Sequence, residues 1–400
     1  MLELEEARRR IMETIPVLPG ELVPVSEADG RILVENIVSE MDLPPFDNSA
    51  VDGFAVQSSD LKSAAPENLI SLQLIGTIPA GESIFAKVEA GQCIRIFTGS
   101  PLPNGADAVV MQEDTQHYSP SNDVSVCCSV KPWGNIRFRG EDVKIGVTLA
   151  QTGVRLRPGH LSLFGAIGKR NVRVGRRPVV ALLATGSELR EAGETISGGM
   201  IFESNRIGLA ALAKRKGAVP KIFPLVRDDL VATTSALEKA FAECDVVVTT
   251  GGVSVGELDF VKAALEALGG KLEFWKISMK PGKPFVFGKL GEKFLFGLPG
   301  NPVSALVTFT LLVAPALLRM QGATNDSPGT YPGVLAETFV NPGQRRHFVR
   351  VLVDANGKVA SSGIQASHIL SSLANANGLV EIPPKTTLAA GTPVSVLSLD

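Results

Sequence analysis

The stretch D-V-V-V-T-T-G-G-V-S-V-G-E-L-D at residues 245–259 decides how this chain reads. Val246, Val247 and Val248 are apolar and β-branched with no polar alternation, which suits a strand covered on both faces of a parallel sheet. Thr249, Thr250, Gly251 and Gly252 follow with hydroxyls and backbone amides but little bulk, so an anion or phosphate could come close to the main chain. Glu257 and Asp259 place carboxylates at the start of a helix expected over 260–268. There the helix dipole favours negative charge, and a divalent cation would find oxygen donors. An ordinary strand, loop and helix with a capping Asp would show the same residues, and this stretch alone does not choose between the two.

Working outward, the chain from Arg177 alternates strand and helix. An apolar strand is expected at 179–184, then a helix over 206–216 capped by Ser204 or Asn205 and closed by Gly217. A strand follows at 219–225, and then a helix capped by Asp228 or Asp229 that runs to Glu243. This β-α-β-α-β order implies a parallel sheet with right-handed crossovers, whose ligands bind beyond the carboxyl ends of the strands. The loops at that edge carry Glu188 (T-G-S-E-L, 185–189), Asp228 and Asp229 (V-R-D-D, 226–229), and Glu257 and Asp259. Three carboxylate-bearing loops at one edge point to a metal site, because Mg²⁺ is commonly held by one or two carboxylates together with substrate phosphate.

Beyond this, S-M-K-P-G-K-P-F-V-F-G (278–288) sets Lys280 and Lys283 on either side of a Pro-Gly turn. F-G-L-P-G-N-P-V-S-A-L (296–306) leads from a strand into a helix with Pro302 in its first turn. Together they form a suitable anion cradle. Residues 323–332 have linker composition, and strand-like runs at 347–353, 379–382 and 394–399 predict a small C-terminal β domain.

On the N-terminal side, Leu2, Leu4, Ala7, Ile11 and Ile15 form one stripe of an amphipathic helix that docks on another domain and stops at Pro16. Residues 42–56, D-L-P-P-F-D-N-S-A-V-D-G-F-A-V, hold two prolines, turn formers and three Asp within eleven positions. Their composition favours a solvated loop. Short strands at 71–75, 93–97, 108–111 and 124–128 make a small β domain, crossed by the loop T-G-S-P-L-P-N-G-A-D-A-V-V at 98–110. N-I-R-F-R-G-E-D-V (135–143) alternates charge around a glycine, as solvated faces do. A helix starting near Pro158 returns the chain to the connecting region.

Four hundred residues exceed one core, and 39 Lys plus Arg against 41 Asp plus Glu argue against nucleic acid as the main partner. No apolar run of membrane-spanning length and no leader-like N-terminus is evident, so a cytoplasmic protein without a membrane partner is expected. Four cysteines without C-x-x-C spacing and four histidines outside H-E-x-x-H disfavour structural zinc and a disulfide framework. The absence of G-x-x-x-x-G-K-[ST] and G-x-G-x-x-G disfavours a P-loop kinase and a dinucleotide oxidoreductase. From residues alone the reading is a Mg²⁺-dependent enzyme acting on a phosphorylated or nucleotide-linked small molecule.

Taken together, P-P-F-D-N-S-A-V-D-G-F-A-V, T-G-S-P-L-P-N-G-A-D-A-V-V, R-G-E-D-V, A-T-G-S-E-L, T-T-G-G-V-S-V-G-E-L-D, M-K-P-G-K-P and G-L-P-G-N-P-V-S-A resemble the molybdopterin molybdenumtransferase family, which includes the bacterial MoeA proteins and the gephyrin E domain. The resemblance implies a multidomain α/β plus β architecture. A parallel-sheet α/β domain of the molybdopterin-binding type would comprise 1–16 and 175–325. An elongated connecting domain would take 17–42 and 143–174, with an inserted β domain at 43–142 and a small C-terminal β domain at 326–400.

It further implies a homodimer that uses Mg²⁺ to insert molybdate into adenylylated molybdopterin and releases AMP. A molybdopterin adenylyltransferase would be a candidate partner. Carried over by motif, the catalytic residues are Asp52, Thr98, Asp142, Glu188, Lys280 and Lys283, and the metal ligands are Glu188, Asp228 and Asp259. Substrate-binding residues are Thr249, Gly251, Gly252, Ser254, Pro299, Gly300, Asn301, Pro302 and Ser304, with Arg350 and Ser367 completing the oxyanion pocket from the last domain. A scaffold or peptide-binding role, and a Mg²⁺-dependent phosphatase or nucleotidyltransferase, are the alternatives.

Overall fold

Val246–Thr250 is the third strand of a six-stranded sheet whose order is Val219–Ile222, Val179–Ala184, Val246–Thr250, Lys293–Leu298, Val286–Leu290, Lys271–Trp275. The first four strands are parallel, as the strand and helix alternation requires. The last two are antiparallel additions, with Val286–Leu290 folding back on Lys293–Leu298 as a hairpin. The structure is a computed structural model and describes residues 1–82, 86–118, 122–252, 260–325 and 328–399.

The apolar central strands are buried on both faces. Val180, Leu182, Val246, Val248, Phe294 and Phe296 turn to one layer, with Leu209 and Ala213 of helix Asn205–Arg215 and Val303, Leu312 and Leu317 of the long helix that follows. The residues between them, Ala181, Leu183, Val247 and Leu295, turn to the other layer, against Leu237 and Phe241 of Leu230–Glu243 and Val261 and Leu265 of Phe260–Ala267. Side chains alternate across a strand, so a run that is apolar at every position must be covered twice.

The helical segment Pro302–Met320 passes through one π turn at Phe309–Val313 and is 83% buried. By length and composition it could cross a membrane, but here it is the core helix of this layer. The N-terminal helix Leu4–Thr14 packs Leu4, Ala7 and Ile11 into the same layer. The docking surface it serves is therefore the α/β core of its own unit.

The chain divides into two units, residues 1–35, 151–157 and 171–400 in one, and 36–150 with 158–170 in the other. The first boundary falls inside the 17–42 connecting segment, because Gly20–Pro24 pairs antiparallel with Asn171–Gly175 in the larger unit. That unit also holds the C-terminal β structure. Arg346–Val353, Lys358–Ser361, Thr330–Leu335, Pro393–Ser398 and Gly378–Ile382 pair in turn, and the last pairs back to the first, closing a ring. Met279–Lys280, from the α/β segment, joins this ring parallel to Arg346–Val353.

The smaller unit is built on a six-stranded sheet ordered Ala108–Met111, Gly53–Val56, Gln92–Ile96, Ile70–Ile78, Asp123–Val126, Thr115–Tyr118. Gly53–Val56 lies in the stretch whose composition favours a solvated loop, yet it is a wholly buried inner strand. Gly53 is what the position demands, since a Cβ there would lie 1.8 Å from the Val110 carbonyl oxygen.

Candidate functional site

At the carboxyl ends of the parallel strands a cavity of about 700 Å³ opens, a size that suits a small-molecule ligand. Its walls come from the loops expected there: Thr185 to Leu189, Asp228, Thr250 to Gly252 and Pro299 to Pro302. Gly251 and Gly252 have φ of 84° and 62°. A Cβ on Gly251 would lie 2.5 Å from the Thr185 carbonyl oxygen, so this floor tolerates only glycine. The acidic loops are tied together: the Ser187 N–H donates to Asp228 Oδ2 (3.0 Å), and the Asp228 N–H donates to Ser187 Oγ (3.3 Å). Asp229, next in sequence, caps Leu230–Glu243 by accepting from the Ala232 N–H at 2.7 Å. Of the two carboxylates expected at this turn, one is thus used by the helix and the other faces the cavity.

Opposite them stands the N-terminus of Asn205–Arg215. Neither Ser204 nor Asn205 caps it; Glu203 Oε1 accepts from the Arg206 N–H at 2.9 Å. Glu203 also pairs with Arg206 (2.8 Å), both side chains nearly fully buried, so this cavity carboxylate is neutralised within the fold. Asn205 instead donates from Nδ2 to the Gly300 carbonyl at 2.8 Å, locking the G-L-P-G-N-P loop to the helix. Asn205 Oδ1, Thr185 Oγ1 and Thr249 Oγ1 are buried without a hydrogen-bond partner among the described residues. Polar atoms left so are costly unless a ligand engages them. Phe202, an exposed ring at the rim, and His368 and Leu370 from the C-terminal segment complete the walls.

Glu188, Asp228, Gly251, Gly252, Pro299, Gly300, Asn301 and Pro302 are therefore brought to one cavity. Thr249 is buried directly beneath, and Ser304 is buried one turn into the helix that starts at Pro302. Ser367 Oγ accepts from Asn301 Nδ2 at 3.1 Å. Arg350 is fully buried: its Nε donates to Ser372 Oγ and its Nη2 to the carbonyls of Ile364 and Ala366, while Nη1 has no partner among the described residues. Burial holds its pKa below the ordinary arginine value.

Lys280 and Lys283 are exposed and do not line the cavity; they flank the Pro281-Gly282 turn as expected, with Lys280 ending a short strand opposite His347. Asp52, Thr98 and Asp142 belong to the other unit. There Asp52 Oδ1 accepts from both the Thr98 N–H and hydroxyl at 2.8 Å, which lowers its pKa. The expectations for Ser254, Glu257 and Asp259 lie outside the described residues.

Composition could not flag Asn205, Glu203, Phe202 or His368, because each is an ordinary surface residue type until the loops are assembled. The only sequence signal was the expected cap at 204–205, whose amide turns out to serve the site.

A glycine-floored, carboxylate-edged cavity at the carboxyl ends of the strands of a mainly parallel sheet defines an α/β protein with a site for a small molecule. The chain matches the families described as "MoeA N-terminal region (domain I and II)" over residues 2–168, "Probable molybdopterin binding domain" over 181–319 and "MoeA C-terminal region (domain IV)" over 332–399. It is 36% identical over 403 residues to the molybdopterin molybdenumtransferase of Haemophilus influenzae, covering 99% of this chain and 98% of that one. It is also 36% identical over 406 residues to molybdopterin molybdenumtransferase 2 of Mycobacterium tuberculosis, covering the whole of both. The crystal structure of a molybdopterin biosynthesis MoeA protein from Pyrococcus horikosii superposes with a TM-score of 0.84 at 32% identity, covering 100% of this chain and 99% of that one. The chain belongs to the molybdopterin molybdenumtransferase (MoeA) family.

Proposed function

We propose that this protein is a molybdopterin molybdenumtransferase of molybdenum cofactor biosynthesis. It inserts molybdate into the dithiolene of adenylylated molybdopterin with Mg²⁺-dependent release of AMP, as a cytoplasmic homodimer. The observation that carries the reading is the cavity itself, which joins the two motif carboxylates Glu188 and Asp228 to the glycine floor and the Pro299 to Pro302 loop in a chain that belongs to this family.

The donor set suits Mg²⁺. Among the described residues no group of three or more ligating side chains stands together, but this cation needs only one or two carboxylates beside phosphate and water. Glu188 and Asp228 are hard oxygen donors on one wall, and they would hold it. When bound, the ion supplies charge neutralisation and Lewis acidity to a phosphoanhydride.

The remaining work falls to the chain. The Gly251-Gly252 turn lets a phosphate approach the backbone, and the paired loops at Ser187 and Asp228 fix one wall. The Asn205 clamp on Gly300 fixes the opposite one. Walls held this way keep the reacting groups oriented and water-poor. Incubating the protein with adenylylated molybdopterin, Mg²⁺ and molybdate should release AMP stoichiometrically with cofactor formed. Intact adenylate after prolonged incubation would refute the assignment.

A further inference from the structure

We infer that His368 is the cavity's direct contact to the phosphate of a bound nucleotide-type ligand; this rests on the adenylylated-substrate reading above. The charge balance of the walls leads there. Among the described residues the carboxylates lining the cavity are Glu188, Glu203 and Asp228, and no lysine or arginine lines it. Glu203 is cancelled by Arg206, leaving two carboxylates facing whatever binds. A phosphate placed against such walls meets repulsion unless donors or positive charge face it. A metal on the carboxylates can serve one side. On the other side His368 is the one imidazole, lysine or arginine side chain lining the cavity among the described residues, and its ring N–H can donate a charge-assisted hydrogen bond to a phosphate oxygen.

The segment that presents His368 is held on both flanks. The Ser367 carbonyl accepts from the Val303 N–H at 3.2 Å, and Ser367 Oγ accepts from Asn301 Nδ2. On the far side the Ile369 N–H donates to the Ala366 carbonyl, which in turn accepts from the buried Arg350. His368 lines the cavity from this held segment, so its backbone needs little further ordering on binding while its exposed ring is free to meet a ligand.

The test measures AMP, adenosine and molybdate binding by calorimetry on the full chain, unaltered and as His368→Ala. The expected result is AMP affinity down about tenfold with adenosine binding unchanged, the loss of one charge-assisted contact. Equal AMP affinity in the two proteins overturns the inference, and so does a parallel loss of AMP and adenosine. A loss confined to molybdate would also overturn it by placing His368 against the free oxyanion. If the unaltered protein binds no AMP, the adenylate reading falls and takes this inference with it. If it binds AMP and the variant binds it equally, only the role of His368 falls.

Discussion

His347 makes the stability of the larger unit depend on mild acid. Its side chain is 8% exposed, and its Nε2 is buried with no partner among the described residues. Burial first, and then the nearby cations of Lys280, Arg350 and Arg345, push the imidazole down from 6.5 to about 4. A pKa depressed on folding means that the unfolded chain binds the proton first. The stabilisation is therefore complete above pH 6.5 and is lost as pH falls toward 4. With those two values, moving from pH 7 to pH 5 should cost about 2 kcal/mol from this residue alone. Replacing His347 with Gln removes the proton from the balance. Urea unfolding at pH 7, 6 and 5, followed by Trp275 emission in a Trp133→Phe background, should show the unaltered protein losing stability faster on acidification by about that amount. Parallel pH trends in the two proteins would refute the reasoning, since a neutral buried imidazole cannot be replaced without flattening the slope.

Two further outcomes follow from the fold. Gly251→Ala sets a Cβ 2.5 Å from the Thr185 carbonyl at a φ of 84°, so AMP release should fall at least about tenfold and the melting temperature should drop as well; unchanged turnover and melting would show that the floor can yield. Phe287→Ala removes a fully buried ring packed 5.1 Å from Phe296 and 5.6 Å from Phe274, and should cost about 3–5 kcal/mol by denaturant titration.

The parallel half of the sheet was legible because the runs around Val180 and Val247 are apolar at every position, and only a doubly covered strand wants that. The antiparallel hairpin of Val286–Leu290 and Lys293–Leu298 was not, since an apolar strand carries no mark of its neighbour's direction. Gly53–Val56 was hidden for the opposite reason. The stretch that leads into it, 42–52, holds prolines, aspartates and an asparagine that are turn formers, and the close approach to Val110 that requires Gly53 exists only once the strands are side by side. The site divides likewise. Carboxylates and glycines on strand-end loops announce themselves by position, whereas Asn205 as a loop clamp depends on a contact across 95 residues.

The pairing of Met279–Lys280 with Arg346–Val353 has a temporal side. A ribosome delivers the parallel sheet and its glycine floor well before the strands that flank that pair, and the ring is closed only by Gly378–Ile382 and Pro393–Ser398. The wall carrying Ser367 and His368 hangs between these late strands, held to Arg350 and to the start of the Pro302 helix. A nascent chain thus has a floor and no far wall, and competence to hold ligand arrives as a final event of synthesis. Truncation behind residue 325 would also strip Phe348 and Leu379 from the core packed on the parallel sheet, so the late strands complete that core as well as the wall.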